Sequence, residues 1–211
     1  MMDAVDQLAV RSTYHHGDLR RALLNAGITL AREGGPDAVV LREATRRAGV
    51  VPNAAYRHFA SRGALLLAVR AASLSALAVA MEKELARARR QPDFARASLR
   101  AIGAAYVQFA LKEPGLFRTA FTVAGDPETA GDPGWAGRSG LNPFQLLGAA
   151  LDRLVEAGAL PPERRPGAEY LAWSAVHGLA MLVLEGPLRR MTRAQTTRIG
   201  QRLLDMVEKG L

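Results

Sequence analysis

The sequence predicts an all-α fold. A small N-terminal three-helix unit is followed by a larger C-terminal helical domain, about nine helices in all. Three observations carry this expectation. Apolar residues recur at three- and four-residue spacing through most of the chain. No β-branched run of strand type and no Asn-Gly hairpin interrupts that rhythm. The 11 prolines cluster where the periodic stretches stop. With 49% hydrophobic and 23% charged residues over 211 positions, the composition is that of an ordinary soluble globular protein. The length suits one mid-sized domain or a small domain joined to a larger one.

Residues 1–13 read as a loose arm, and Gly17 or Asp18 as the N-cap of the first helix. That helix is expected over 19–33, where Leu19, Leu23, Ala26 and Leu30 form one apolar face and Gly34-Gly35-Pro36 ends it. The second helix is expected over 41–48 and the third over 52–58. Gly49 between them suits a tight turn, and Pro52 stands where its missing N–H is harmless. A fourth helix over 62–90 would span about 40 Å at 1.5 Å per residue and join the two parts. Gln91-Pro92-Asp93 ends it, and a fifth helix over 94–112 follows, with Leu99, Ile102, Tyr106 and Phe109 on one face. Pro114 opens a short sixth helix bearing Leu116, Phe117 and Phe121. Residues 123–140 hold five glycines and two prolines without periodicity, which leaves two readings: a disordered stretch or a lid over a site. The seventh helix is expected over 143–158, with ALPPERRP as a rigid polar connector after it. The eighth, over 167–184, is apolar on most sides and so predicted to be buried from several directions. Thr192 and Gln195 form a capping box for the ninth, whose apolar line is Ile199, Leu203, Met206 and Val207.

The net charge is +8, which favours an anionic partner such as nucleic acid or a membrane surface. Nearly all the basic residues are arginine, so compositional bias explains the same number. Residues 1–77 hold ten basic and six acidic side chains and the remainder 18 and 14, so each part carries a net +4 and bulk charge does not locate a site. With no cysteine, disulfides, thiol catalysis and cysteine metal sites are excluded. The His15-His16 pair has no third ligand at helical spacing, so no metal site is expected. No signal-type N-terminus and no run of 18 apolar residues is present, which predicts a cytoplasmic chain with no membrane partner. The sequence lacks Gly-x-Ser-x-Gly, a phosphate loop, His-Glu-x-x-His and a nicotinamide fingerprint, so no catalytic residue and no cofactor is expected.

The most informative stretch is VLREATRRAGVVPNAAYRHF, residues 40–59. Two short helices meet at a glycine, the pattern of a helix-turn-helix. Arg42, Arg46, Arg47 and Arg57 lie within it and Arg62 just beyond, against the single acid Glu43. That charge balance fits a surface facing phosphates. LRRALLNAGITLAREGG precedes it and SRGALLLAV follows. Gly34, Ala48, Gly49, Val50, Tyr56, His58, Phe59, Arg62, Leu65 and Val69 stand in order and spacing as in one family pattern. Over residues 17–77 the chain therefore resembles the tetracycline-repressor (TetR) family of dimeric bacterial transcription regulators. The resemblance implies a DNA-binding domain over 17–77 and a ligand-binding and dimerisation domain over 78–211.

The DNA-facing residues so implied are Arg42, Val51, Pro52, Asn53, Ala54, Tyr56, Arg57, His58 and Arg62. Tyr56 and His58 would meet the DNA backbone, as in the family, although a plain surface histidine is the alternative for His58. Arg57 could reach a guanine edge, Asn53 an adenine and Ala54 a thymine methyl. Phe59 would close the small core. Arg11 and the arm could enter the adjacent minor groove or form a free tail. Three positions depart from the pattern: Val40 and Val51 stand where Ser or Thr usually caps a helix, and Gly63 where an acid is common. Such caps are worth about 1 kcal/mol each.

Trp173, His177 and Gly178 resemble the Trp-His-Gly element of one TetR subgroup. By resemblance, the eighth and ninth helices would build a homodimer bundle and the C-terminal domain would hold a small-molecule effector. Tyr106, Phe109, Phe117, Phe121, Phe144, Trp173 and His177 are the candidate lining; aromatic residues at helical spacing serve equally as plain core. The implied function is a ligand-responsive repressor acting on a pseudo-palindromic double-stranded operator. An activator of the same fold, or a basic helical protein that binds a partner or a membrane surface, is the alternative.

Overall fold

In a computed structural model of the chain, residues 16–121 and 133–211 are described, and all their regular structure is helical. The described fold begins with α1 (His16–Gly34), which starts earlier than a cap at Gly17 or Asp18 would have it; both lie inside the helix. Leu23, Ala26, Leu30 and Ala31 form its buried face. A single 3-10 turn, Pro36–Ala38, leads into α2 (Leu41–Ala48). Gly49 follows in the left-handed region at φ 68°, where a side chain would be strained, and the Val50 amide closes the end on the Thr45 carbonyl at 3.1 Å. The third helix, α3 (Pro52–Tyr56), is shorter than expected: beyond Tyr56 the amides of His58 and Phe59 both turn back to the Ala55 carbonyl. That turn drives Phe59 inward, where it is 2% exposed and closes the small core with Leu23, Leu30, Val39, Leu41, Ala44 and Ala55.

The long helix is α4 (Arg62–Ala88), capped by the Ser61 hydroxyl, which accepts from the Ala64 amide at 3.1 Å. Its N-terminal part presents Leu65 and Val69 to the core beneath α1, and its C-terminal part presents Leu77, Met81 and Leu85 to the second domain. It runs unbroken through residue 77, so the two parts share an element rather than a linker. By length and hydropathy this helix passes as a membrane span, but it packs against α1 and the C-terminal helices as a core element. Its apolar run is interrupted by one charge, Arg70.

The second domain packs α5 (Phe94–Lys112), α6 (Pro114–Phe121), α7 (Pro143–Glu156), α8 (Ala168–Leu184) and α9 (Arg193–Gly210) around α4. Asp93 caps α5; reciprocal capping boxes open α7 (Asn142 with Gln145) and α9 (Thr192 with Gln195). At Gly115 α6 lies so close to the end of α1 that a Cβ would overlap the Ala31 carbonyl oxygen. Of the irregular stretch, residues 122–132 lie outside the described residues. The part after it is held down: Glu82 of α4 accepts from the backbone amides of Arg138 at 2.9 Å and Ser139 at 2.8 Å.

The C-terminal helices keep part of their apolar surface outside the protomer's core. Helix α8 packs against α5, α7 and α9, so it is buried from several directions, and Leu171 at 65% and Leu182 at 43% remain exposed on its outer side. In α9, Thr196, Gly200 and Leu204 are buried and Leu203 and Val207 of the predicted apolar line pack against the core, while Ile199 at 41% and Met206 at 61% stay exposed. Periodicity reports that a face is apolar; which of two apolar faces meets the protomer's own core depends on neighbouring helices. The arm with Arg11, and His15 of the histidine pair, lie outside the described residues.

Candidate nucleic-acid interface and interior cavity

The helix-turn-helix presents one continuous outer surface. Val51, Asn53, Tyr56 and Arg57 are exposed, Ala54 and His58 are half-buried, and Arg42 is exposed on α2. The side chain of Pro52 lies outside the described set. The charges divide sharply. Arg46 binds Glu43 through two nitrogens, at 2.7 and 2.8 Å, and Arg47 spans Glu43 and Glu33, at 3.1 Å to the former and 2.7 Å to the latter. These guanidinium groups hold the Glu43 carboxyl well below its ordinary range, at about 2. Arg46 and Arg47 are therefore neutralised within the domain. Arg42 and Arg57 make no ion pair with any described residue, so they are the cations left to an anionic partner.

Arg62, also a candidate phosphate ligand, is half exposed and hydrogen-bonded within the domain. Its Nε donates to the Val39 carbonyl at 2.8 Å and Nη2 to the Pro36 carbonyl at 2.9 Å. It clamps the start of α4 to the turn before α2. Val51 caps α3 at φ −71° and ψ 142° without any side-chain hydrogen bond.

In the second domain a cavity of about 350 Å³ lies among α4, α5, α7, α8 and α9, with Phe121 of α6 and Trp135 closing it. Of the candidate residues, Tyr106, Phe121, Phe144, Trp173 and His177 line it. Phe109 and Phe117 do not. Phe117 is fully buried behind the wall, its ring edge-on to Tyr106 at 5.3 Å, and Phe109 is also core. Sequence reasoning missed Arg70, Leu74, Met81, Trp135 and Leu147. For Arg70 a signal existed, since a lone charge stands on the buried stripe of α4 between Leu66 and Leu74.

A polar relay crosses the aromatic wall. Trp173 Nε1 donates to Tyr106 Oη at 3.1 Å, and Tyr106 Oη lies 2.7 Å from His177 Nδ1. The indole can only donate, so the tyrosine hydroxyl accepts there, and its own proton is available to Nδ1. When Nδ1 takes that proton as acceptor, His177 is the Nε2–H tautomer. Burial pushes the His177 pKa down and the Tyr106 pKa up, so both rings are neutral near pH 7. No cluster of acidic or histidine side chains suited to a metal occurs among the described residues. The arrangement offers selective binding rather than a nucleophile with its base.

The family model for bacterial regulatory proteins of the tetR family matches residues 23–69, and that for a tetracyclin repressor-like C-terminal domain matches residues 99–207. No curated protein matches the chain. Among solved structures, a Rhodococcus sp. RHA1 protein of unknown function is similar at 28% identity and TM-score 0.75, covering 95% of this chain and 99% of that one. A TetR-family transcriptional regulator from Pectobacterium atrosepticum is similar at 19% identity and TM-score 0.66, over 95% and 97% of the two chains. A single-substitution variant of TetR from Acinetobacter baumannii AYE, in complex with minocycline, shares the fold at 18% identity and TM-score 0.58, over 94% and 96%. The first family match takes in α2, Gly49 and α3, the second takes in most of the cavity wall, and together they establish that this chain belongs to the TetR family, as a DNA-binding transcriptional regulator and not an enzyme.

Proposed function

We propose that the protein is a homodimeric, ligand-responsive repressor acting in the cytoplasm on a pseudo-palindromic operator, with residues 17–77 as the DNA-binding unit and 78–211 as the effector and dimer unit. The observation that carries this reading is that one helix serves both ends. On α4, Leu65 and Val69 pack beneath the DNA-binding core, while Arg70, Leu74 and Met81 line the cavity. A ligand that prefers one placement of α4 would bias the separation of two recognition helices, which must match successive major grooves. The packing of α6 against α1 at Gly115 gives a second route between the same parts.

In this reading α3 enters the major groove. Arg57, Asn53 and Ala54 read bases, and Tyr56, His58 and Arg42 meet the backbone. The exposed apolar residues Leu171 and Leu182 on α8 and Ile199 and Met206 on α9 would be covered by a second copy. The minocycline bound by the Acinetobacter neighbour supports taking the C-terminal cavity as an effector site in a fold of this kind.

The test is selection of bound DNA from a random pool with the full-length chain. A two-fold symmetric site, with half-sites about one helical turn apart or a multiple of it, is the expected result. Sequence-independent recovery would refute the regulator reading in this form.

A further inference from the structure

The cavity wall carries one charge, Arg70, that no acidic side chain compensates among the described residues. Arg70 is only 9% exposed. Its Nε donates to the Ala120 carbonyl at 3.0 Å, and its guanidinium lies over the Trp135 ring at 4.4 Å from the centroid. The two terminal nitrogens hold no hydrogen bond, and no carboxylate pairs with them, among the described residues. Burial is the cause acting on its pKa, pushing it down with no acidic neighbour opposing it. A buried cation is costly unless it is paired, and a backbone carbonyl and an indole face replace only part of its hydration.

The rest of the lining sharpens the point. No Asp or Glu lines the cavity among the described residues. The other arginine on its wall, Arg100, is already bound to Asp205 and Glu208. Arg70 therefore sets the sign of the interior. A second polar side chain faces the same space: His177, whose Nδ1 is hydrogen-bonded to the Tyr106 hydroxyl at 2.7 Å. Phe121, next to the carbonyl that Arg70 holds, has its ring 5.1 Å from that of His177. Apart from Asn142, Ser174 and the Tyr106 hydroxyl, the remaining wall is apolar and aromatic, including Leu74, Leu147, Phe144 and both tryptophans of the chain, Trp135 and Trp173.

We propose that the cavity recognises an amphipathic organic carboxylate. Its carboxylate sits on the two free nitrogens of Arg70, and its apolar or aromatic body fills the space between Leu74, Phe144 and Trp173. Arg is suited to this because its planar fork matches the two carboxylate oxygens. A cavity of about 350 Å³ accommodates a body of roughly ten to fifteen heavy atoms beside the carboxylate. The inference rests on the cavity being the effector site, and the test separates the two.

The full-length protein is titrated with matched pairs: octanoate and octanamide, 4-phenylbutyrate and its amide, 1-naphthylacetate and its amide. Binding is read by calorimetry, and for the first two pairs also by tryptophan fluorescence, because both indoles line the cavity. The expected result is that at least one carboxylate binds roughly tenfold or more tighter than its amide. Arg70→Gln should remove that preference while leaving amide affinity within a few-fold, and Arg70→Lys should keep part of it. A melting curve on each variant confirms folding; if Arg70→Gln does not fold, Arg70→Lys and Arg70→Met serve as the comparison. If carboxylate and amide bind alike in the wild type, or the preference survives in Arg70→Gln, the anion inference is overturned and the effector cavity stands. If no member of any pair binds, both fall.

Discussion

Arg62 Nε donates to the Val39 carbonyl oxygen at 2.8 Å, and this bond fastens the first turn of α4 to the chain that enters α2. The arginine therefore stabilises the geometry of the helix-turn-helix from within. Arg62→Ala should lower the melting temperature, with a cost of about 1 kcal/mol for hydrogen bonds at a half-exposed side chain. The salt slope of DNA binding should stay unchanged. A slope reduced by about one unit would restore a phosphate contact for Arg62.

Arg42 and Arg57 are the cations of the motif without an ion pair among the described residues, and they should behave differently. Arg57→Ala should cost about 1–3 kcal/mol and relax preference at one base position in each half-site. Arg42→Ala should weaken all sequences alike and lower the salt slope by about one. Affinities over a set of single-base operator variants at several salt concentrations distinguish the two. Equal loss on every variant with Arg57→Ala would contradict its base contact.

Val51 is 69% exposed and makes no cap hydrogen bond, so replacing it removes little apolar burial. Val51→Ser should stabilise α3 by up to about 1 kcal/mol, because the hydroxyl can accept from an otherwise unpartnered amide of the first turn. The readout is a raised melting temperature. No change, or a fall, would reject the capping argument.

Burial keeps His177 neutral, so its folded-state pKa lies below the unfolded value of about 6.5. In the window just below that value the unfolded chain binds more protons than the folded one. Stability contributed by the neutral ring is full above about pH 6.5 and is lost as pH falls through that window. Denaturant midpoints between about pH 4.5 and 7 should fall on acidification, and His177→Gln should flatten the trend over that window. An identical pH profile in the variant would remove His177 as a cause.

Leu171 and Met206 are more than half exposed on neighbouring helices. Leu171→Glu with Met206→Glu should leave the helical content and the protomer core intact while abolishing dimers and tight operator binding. Light scattering at micromolar concentration, beside circular dichroism, gives the outcome. A dimer that survives both changes would place the interface elsewhere.

Much of this architecture was legible in the residues. The bounds of α2 and α5 follow from Gly49, Pro92 and Asp93, whose effects on the backbone are local. The two helices around Gly49 were legible for the same reason, because motif spacing is a property of one short stretch. The cavity was legible only in part. Aromatic periodicity located Tyr106, Phe121 and Trp173 but did not separate wall from core, so Phe117 and Phe109 were grouped with them. Arg70 became informative only with its surroundings, since the absence of a partner cannot be read from a helix alone. The ordering of residues 138 and 139 by Glu82, more than fifty positions away, has no local signature at all. The outward faces of α8 and α9 depend likewise on which neighbours cover the other side.

The central claim is that effector and DNA communicate through α4. It is tested most directly by fixing the separation of the recognition helices. The chain has no cysteine, so Ala60→Cys, at an exposed position just past the motif, places one thiol on each protomer. The dimer is cross-linked on the operator with a spacer that holds the DNA-competent distance. Release is then followed by anisotropy on adding the carboxylate that binds the cavity. The uncross-linked protein should lose operator affinity by about 5–150-fold and the cross-linked one should not, although both bind the ligand. Equal release from the cross-linked dimer would show that the signal does not run through the separation of the recognition helices, and the α4 account would fail.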